Sequence, residues 1–185
     1  MTTQSSHPSA TPAPAPAPAP GTPATPLSPT DQHKQVAQKE AQSQSADPKA
    51  VFLGDGIAYA NLYTVPGSAS HNDNNPGLLT RAWDPSNSGL PVDGGAIIYP
   101  DIDTGAKALH TFVGKILSNP PAPAPGTPAP AGQAAPKPGA LPFTPDMTIQ
   151  AFAQAYTPAN ADAWVKRFTD YTGVASDAKL SEAAA

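Results

Sequence analysis

The segment DTGAKALHTFVGKIL at residues 103–117 carries the clearest folding signal in the chain. Its large apolar residues recur at the spacing i, i+3, i+4, i+7 and i+8, which places them on one face of a helix: Leu109, Phe112, Val113, Ile116 and Leu117. Asp103 or Thr104 is suited to cap the first turn, and the prolines at 120–121 prevent the helix from continuing. The pattern predicts an amphipathic helix that ends at residues 118–119.

Weaker patterns predict the remaining elements. One helix is expected over about 147–156, and another begins near Asn160 and ends at Gly173. Residues 51–63, VFLGDGIAYANLY, are apolar enough to enter the core, but so short a run leaves helix and strand both open.

The β content is expected to be small. The run Ala96–Tyr99 favours a strand that Pro100 stops, and turn-rich loops are expected at 66–77 and 84–95. The sequence therefore predicts a mainly α fold with a small β element, an α+β class.

Proline is concentrated in two tracts. Of the 26 prolines in 185 residues, nine lie in residues 1–30 and another nine in residues 120–142. Alternating Ala and Pro keep the backbone extended and offer few apolar side chains to offset the entropy of ordering. Both tracts are expected to act as flexible spacers.

These tracts set the expected domain boundaries. A disordered arm with a polar linker is expected at 1–49. Residues 31–46 favour a helix by propensity but offer no large apolar face to bury, so we expect a frayed polar helix or more linker there. One folded domain is expected at 50–175, with the flexible insertion 120–142 inside it, and residues 176–185 are expected to fray.

Composition excludes several classes of protein. The chain has no Cys, so disulfides and thiolate zinc sites are excluded. Ten basic and fourteen acidic residues give a net charge of −4 without a basic cluster, and we expect no nucleic-acid partner. No run of about 18 apolar residues is present, so no membrane span is expected.

The first twenty residues do not have the form of a secretory signal peptide. They lack its cationic start and its apolar centre. We therefore expect a protein that stays in the cytoplasm until it is packaged in a virion or delivered by a specialised secretion route.

Three pieces of the sequence stand in a characteristic order. They are the motif NNPG at 74–77, the run from Ile98 to Leu109 that contains TGAKAL, and the segment from Met147 through YTPAN to the TGV at 172–174. Together they resemble small phage-virion and prophage domains that open with an NNPGN-type motif. In those domains the motif is followed by an aromatic-ended strand and a "G..A...L" helix. A "T(I/L)...YAP..N" segment comes next, and a terminal helix ending in TGV closes the domain.

The resemblance covers about residues 70–175. It departs from the family pattern at Leu78, where Asn is usual, and at Thr157, where Ala is usual. It implies a lysozyme-like or glucosaminidase-like layout. It also implies partners among peptidoglycan and the proteins of virions or secretion machines.

The NNPG motif has a physical interpretation of its own. Pro76 and Gly77 fit a type II turn, in which Gly supplies a positive φ. Two roles are open for Asn74 and Asn75: they hold a rigid turn, or they present amides to a glycan or peptide.

A second candidate binding position follows in a polar loop. Trp83, with Arg81 two residues away, either stacks on a sugar ring or covers the core as a lid.

Catalytic candidates are few. Glycosidases need a carboxylic acid beside the scissile bond, yet the only Glu residues, Glu40 and Glu182, lie near the expected flexible ends. Asp55 is the best-placed substitute, because its flanking glycines either expose it at a groove or form an ordinary turn. His71 and His110 are too few for a zinc amidase, so neither a metal nor a cofactor is expected.

Two function hypotheses follow. The favoured one is a non-catalytic phage- or prophage-derived module that is structural in a virion or secretion machine, or binds the cell wall. The other is a peptidoglycan glycoside hydrolase or lytic transglycosylase, including a delivered cell-wall effector. It would use Asp55 as the acid, with Asn74 and Asn75 orienting the sugar.

Overall fold

The computed structural model describes residues 28–44, 46–120 and 141–183. The described residues form six α-helices and one two-stranded antiparallel sheet: α1 (Pro29–Gln44), α2 (Pro48–Ala60), α3 (Ala69–Asn72), β1 (Val92–Asp93), β2 (Ala96–Ile97), α4 (Ile102–Leu117), α5 (Ile149–Tyr156) and α6 (Ala161–Thr172). The prediction of a mainly α fold with a small β element is confirmed. The spacers expected at 1–30 and 120–142 lie, apart from their ends, outside the described residues.

Helix α2 is the centre of the fold, because α1, α4 and α6 all pack against it. Eight of its thirteen residues are buried, among them Val51, Phe52, Leu53 and Ile57. A helix that is apolar on nearly every side has no amphipathic period. This explains why the sequence alone left helix and strand open at 51–63; residues 51–60 belong to the helix.

Helix α1 corrects the expected start of the domain. Residues 31–46 were expected to be a frayed polar helix or linker without a buried face, but α1 packs against α2 and buries Ala37 and Ala41 to 1% exposure each. His33 of α1 also stacks on Tyr171 of α6 with ring centroids 4.1 Å apart. The folded unit therefore begins near Pro29 rather than Ala50.

The C-terminal segment is likewise part of the fold. The backbone N–H of Ile149 donates to the carbonyl of Ala178 at 3.0 Å, and that of Leu180 donates to Met147 at 2.9 Å. Leu180 and Ala183 are buried. The expected fraying is therefore wrong for residues 176–183.

The β element is a tight hairpin. β1 pairs with β2 with Val92 opposite Ile97, around a turn at Gly94 and Gly95, which both have positive φ. The strand expected at 96–99 lies where it was predicted, but it spans only Ala96 and Ile97. Its partner β1 lies in the segment that was expected to be loop.

Helix α4 is the predicted amphipathic helix, and Asp101 and Asp103 were both expected as caps at its start. Asp101, not Asp103 or Thr104, caps it by accepting the Thr104 backbone N–H at 2.8 Å. This hydrogen bond holds the pKa of Asp101 below its usual value.

Across the described ranges, each helix is too short or too polar to cross a bilayer.

Two glycines of α4 provide a matched test of its packing. A Cβ at Gly105 would overlap the Asn74 carbonyl oxygen, whereas one at Gly114 would lie 3.9 Å from the nearest atom, the Ala50 Cβ. We expect Gly105→Ala to lower the free energy of unfolding by about 1–3 kcal/mol. Gly114→Ala should raise it by about 0.5–1 kcal/mol, because Ala favours the helix. Urea unfolding measures both, and equal effects would contradict the close contact at Gly105.

The docking of α1 is testable with a second pair. Ala37 is buried, whereas its neighbour Val36 is 60% exposed. We expect Ala37→Asp to reduce the amide-exchange protection of α1 by about tenfold or more, because a buried carboxylate drives undocking. Val36→Asp introduces the same residue into the same helix and should leave α1 docked. Equal protection in the two variants would show that α1 does not pack as described.

Candidate functional site

Asn75 is fully buried, and all of its amide atoms are used inside the protein. Its Nδ2 donates to the carbonyl oxygens of Leu79 (3.0 Å) and Ile97 (2.8 Å), and its Oδ1 accepts the Leu79 backbone N–H (2.8 Å). These bonds join the NNPG segment to β2. The side chain therefore holds a rigid turn and has no atom left to present to a glycan or peptide.

The geometry of this turn differs from the expected type II. The Leu78 N–H donates to the Asn75 carbonyl at 2.9 Å, and the positive φ falls on Leu78 (45°) instead of Gly77. Asn tolerates this left-handed conformation far better than Leu. Leu78 therefore holds a backbone conformation that an Asn at this position would adopt more easily.

Asn74 also has structural contacts. It has a φ of 50°, and its Nδ2 donates to the Tyr99 carbonyl at 3.2 Å. Its own carbonyl faces Gly105 at the start of α4. Both asparagines of the motif therefore connect the turn to neighbouring elements.

A buried polar network fixes the same turn from its other side. Asn61 donates to the Pro76 carbonyl at 2.9 Å and accepts from the indole N–H of Trp164 at 2.9 Å. The Tyr156 hydroxyl donates to the Gly77 carbonyl, and burial raises the pKa of Tyr156 well above its usual value. Asn61 was not predicted to have a role, because its partners are distant in the chain.

Arg81 and Trp83 have different surroundings. The exposed Arg81 donates to the Leu90 carbonyl at 2.9 Å and so closes its own loop. Trp83 is half-buried and stacks with Phe112 and Tyr156, at centroid distances of 5.8 and 5.3 Å. These contacts make Trp83 a lid on the core, with only part of the indole left to contact a ligand.

A groove of about 280 Å³ lies beside this indole, and we call it the Trp83 groove. Its walls come from the 83–87 loop and from one flank of α4, and its polar lining includes Asn87, Thr104, Lys107, Thr111 and Lys115. The groove is bordered by an aromatic residue, two lysines and several side chains that can form hydrogen bonds. Asn74, Asn75 and Arg81 do not line it.

Asp55 lies elsewhere, in a cluster that the sequence did not predict. One ligand atom each from Glu40 of α1, Asp55 of α2 and His110 of α4 lie within 4.8 Å of one another. We call these three residues the carboxylate–histidine cluster. Glu40 had been assigned to the linker, so the conclusion that the packed region contains no Glu is wrong.

The glycines beside Asp55 allow the helices to approach closely. A Cβ at Gly54 would collide with the His110 ring, and one at Gly56 would collide with Phe168 and Thr172 of α6. The Gly-Asp-Gly sequence therefore lies inside a helix and forms neither a turn nor a groove.

Gln44 orients the cluster. Its Nε2 donates to Glu40 Oε1 at 2.8 Å, and its Oε1 faces His110 Nδ1 at 3.1 Å. Because an amide oxygen only accepts, His110 carries a proton on Nδ1. His110 Nε2 then lies 3.6 Å from Asp55 Oδ1, which is longer than a hydrogen bond.

Aromatic residues lie next to the cluster. Tyr171 stacks with Tyr59 at 4.8 Å and with His33 at 4.1 Å. Burial and the charges of Asp55 and Glu40 raise the pKa of Tyr171 above its usual value.

No model of a protein family, no protein of curated function and no solved structure matches this chain. The resemblance to phage-virion domains and the lysozyme-like layout that it implies therefore stay predictions.

The role of Asn75 is directly testable. Asn75→Ala would remove the side-chain partner of the Ile97 carbonyl and of the Leu79 N–H, whereas the Leu79 carbonyl keeps the Ile97 N–H at 2.8 Å; each buried group that loses its partner costs about 1–3 kcal/mol. We expect a loss of about 3 kcal/mol in the free energy of unfolding by urea. The control Asn72→Ala removes an exposed amide of the same motif region and should change it by less than about 0.5 kcal/mol. Equal losses would refute the buried role.

Proposed function

We propose that this chain is a non-catalytic, phage- or prophage-derived module that binds peptidoglycan through the Trp83 groove. The observation that carries the proposal is that Trp83 lines one groove together with Lys107 and Lys115. The resemblance of the sequence to virion-associated domains supports the same class of ligand.

The groove suits the chemistry of peptidoglycan. Its glycan strands carry sugar rings and hydroxyls, and its stem peptides carry carboxylates. The exposed part of Trp83 offers an apolar wall, Thr104 and Thr111 offer hydroxyls, and the two lysines attract carboxylates. The groove is close to the lower end of small-ligand sites, which begin at about 300 Å³, and so suits a short segment of a polymer.

The acidic lining of the groove argues against hydrolysis there. Its acidic side chain is Asp84, which is buried and accepts hydrogen bonds from Tyr99 and Asn87, each at 2.7 Å. A general acid must carry a proton toward the scissile bond, whereas Asp84 accepts both of these hydrogen bonds at its Oδ2. Glu40 and Asp55 do not line the groove.

A hydrolase remains the second candidate because of one observation: Glu40 lies beside Asp55. Two neighbouring carboxylates are the usual equipment of a glycosidase. If the protein is a hydrolase, Glu40 is the candidate general acid in place of Asp55, the residue that the sequence suggested.

A single incubation with purified bacterial peptidoglycan tests the proposal. Bound protein is measured by sedimentation, and soluble fragments are measured by mass spectrometry. We expect binding without release of fragments. The variant Lys107→Glu with Lys115→Glu should bind about tenfold more weakly at low salt, and added NaCl should weaken the wild type.

The matched control reverses two exposed lysines outside the groove, Lys39→Glu with Lys49→Glu, and so changes the net charge equally. Equal weakening in both double variants would mean that the Trp83 groove is not the site. Released fragments would replace the proposal with the hydrolase. If the protein neither binds nor cleaves, its ligand is not peptidoglycan, and a structural role in a virion or secretion machine becomes the leading reading.

A further inference from the structure

We propose that the carboxylate–histidine cluster binds one divalent transition-metal ion, of which Zn²⁺ is the best fit. This site is independent of the Trp83 groove. Within α4, His110 faces α1 and α2, whereas Thr104, Lys107, Thr111 and Lys115 lie together on another flank.

The spacing of the three ligand atoms suits a shared ion. They lie within 4.8 Å of one another, whereas ligands bonded to Zn²⁺ at about 2.0–2.2 Å lie about 3–4 Å apart. Glu40 and Asp55 are only half-buried and come from different helices. Small rotations of their side chains close the remaining distance without moving the backbone.

His110 has the orientation of a metal ligand. Its ring is 5% exposed, and its Nδ1 proton is directed at Gln44. In the neutral ring Nε2 therefore holds the free lone pair, and it faces Asp55 at a distance too long for a hydrogen bond. A histidine ligand that donates its other N–H to a neighbouring acceptor is the usual arrangement around protein-bound metals.

Gln44 supports two of the three ligands at once. It accepts from His110 and donates to Glu40, so one amide fixes both the imidazole tautomer and one carboxylate oxygen. Such outer contacts commonly change metal affinity by about 10–100-fold.

The donor set selects the class of metal. One imidazole nitrogen with two carboxylates favours Zn²⁺ and its neighbours, whereas Ca²⁺ and Mg²⁺ prefer oxygen ligands alone. Three protein ligands leave a fourth position for water. The cation would also neutralise the carboxylates of Glu40 and Asp55, which α1 and α2 bring close together.

Calorimetric titration of chelator-treated protein with Zn²⁺ at pH 7 tests the site. We expect one ion per chain, with affinity reduced at least about tenfold in Glu40→Gln and in Asp55→Asn. Asp103→Asn and His71→Asn remove an exposed carboxylate and an exposed imidazole elsewhere, and should bind as the wild type does. Circular dichroism of each variant establishes that it is folded.

A second measurement needs no variant. Nitrogen NMR of the imidazoles should show His110 protonated on Nδ1 and, when Zn²⁺ is added, a shift of its Nε2, with His71 unaffected. The proposal is overturned if the wild type binds no stoichiometric Zn²⁺, or if folded Glu40→Gln and Asp55→Asn bind it unchanged. It is also overturned if Zn²⁺ leaves His110 Nε2 unchanged, in which case the cluster is only an ion pair between Asp55 and His110.

Discussion

The three hydrogen bonds of the buried Asn75 amide fix the turn against which the hairpin, α4 and α5 are arranged. Breaking these bonds would leave a buried amide without partners, which costs free energy. The hydrogen bonds therefore keep the turn at a fixed distance from β2. With the turn fixed, the Asn74 carbonyl meets the start of α4 where only Gly105 leaves room. The Gly77 carbonyl in turn receives the Tyr156 hydroxyl from α5. Residues that look like a ligand-binding motif in the sequence thus perform the central structural task.

The sequence pattern predicted the helices that have a single apolar face. It did not predict the helices that lack such a face. Helix α4 shows its stripe of large residues, and its position follows from sequence alone. Helix α2 is buried on several sides, so its pattern carries no period. Helix α1 docks through Ala37 and Ala41, and methyl groups give almost no signal in a polar sequence. Only the packing of α2 reveals that these alanines have a partner.

The candidate sites were harder to predict than the fold, because their members are distant in sequence. Asp55 was singled out as an exposed turn residue, yet it matters because it faces Glu40 and His110 from a helix. Glu40 was set aside together with α1, so one wrong boundary hid one of the three residues of the cluster. Gln44, which orients two of them, belongs to the same helix. No spacing rule connects positions 40, 55 and 110; helix packing does.

The contact of α1 with the rest of the fold and the proposed metal site are linked. Alanine methyl groups bury little apolar area, so α1 gains little free energy from the hydrophobic effect alone. Its other contacts with the fold include His33 against Tyr171, Lys34 over the Phe52 ring and the cluster at Glu40. An ion shared by Glu40, Asp55 and His110 would bind only the docked state, and its binding free energy would therefore add to that of docking. Metal binding by Glu40 would then contribute a large share of the free energy that holds α1 against the fold.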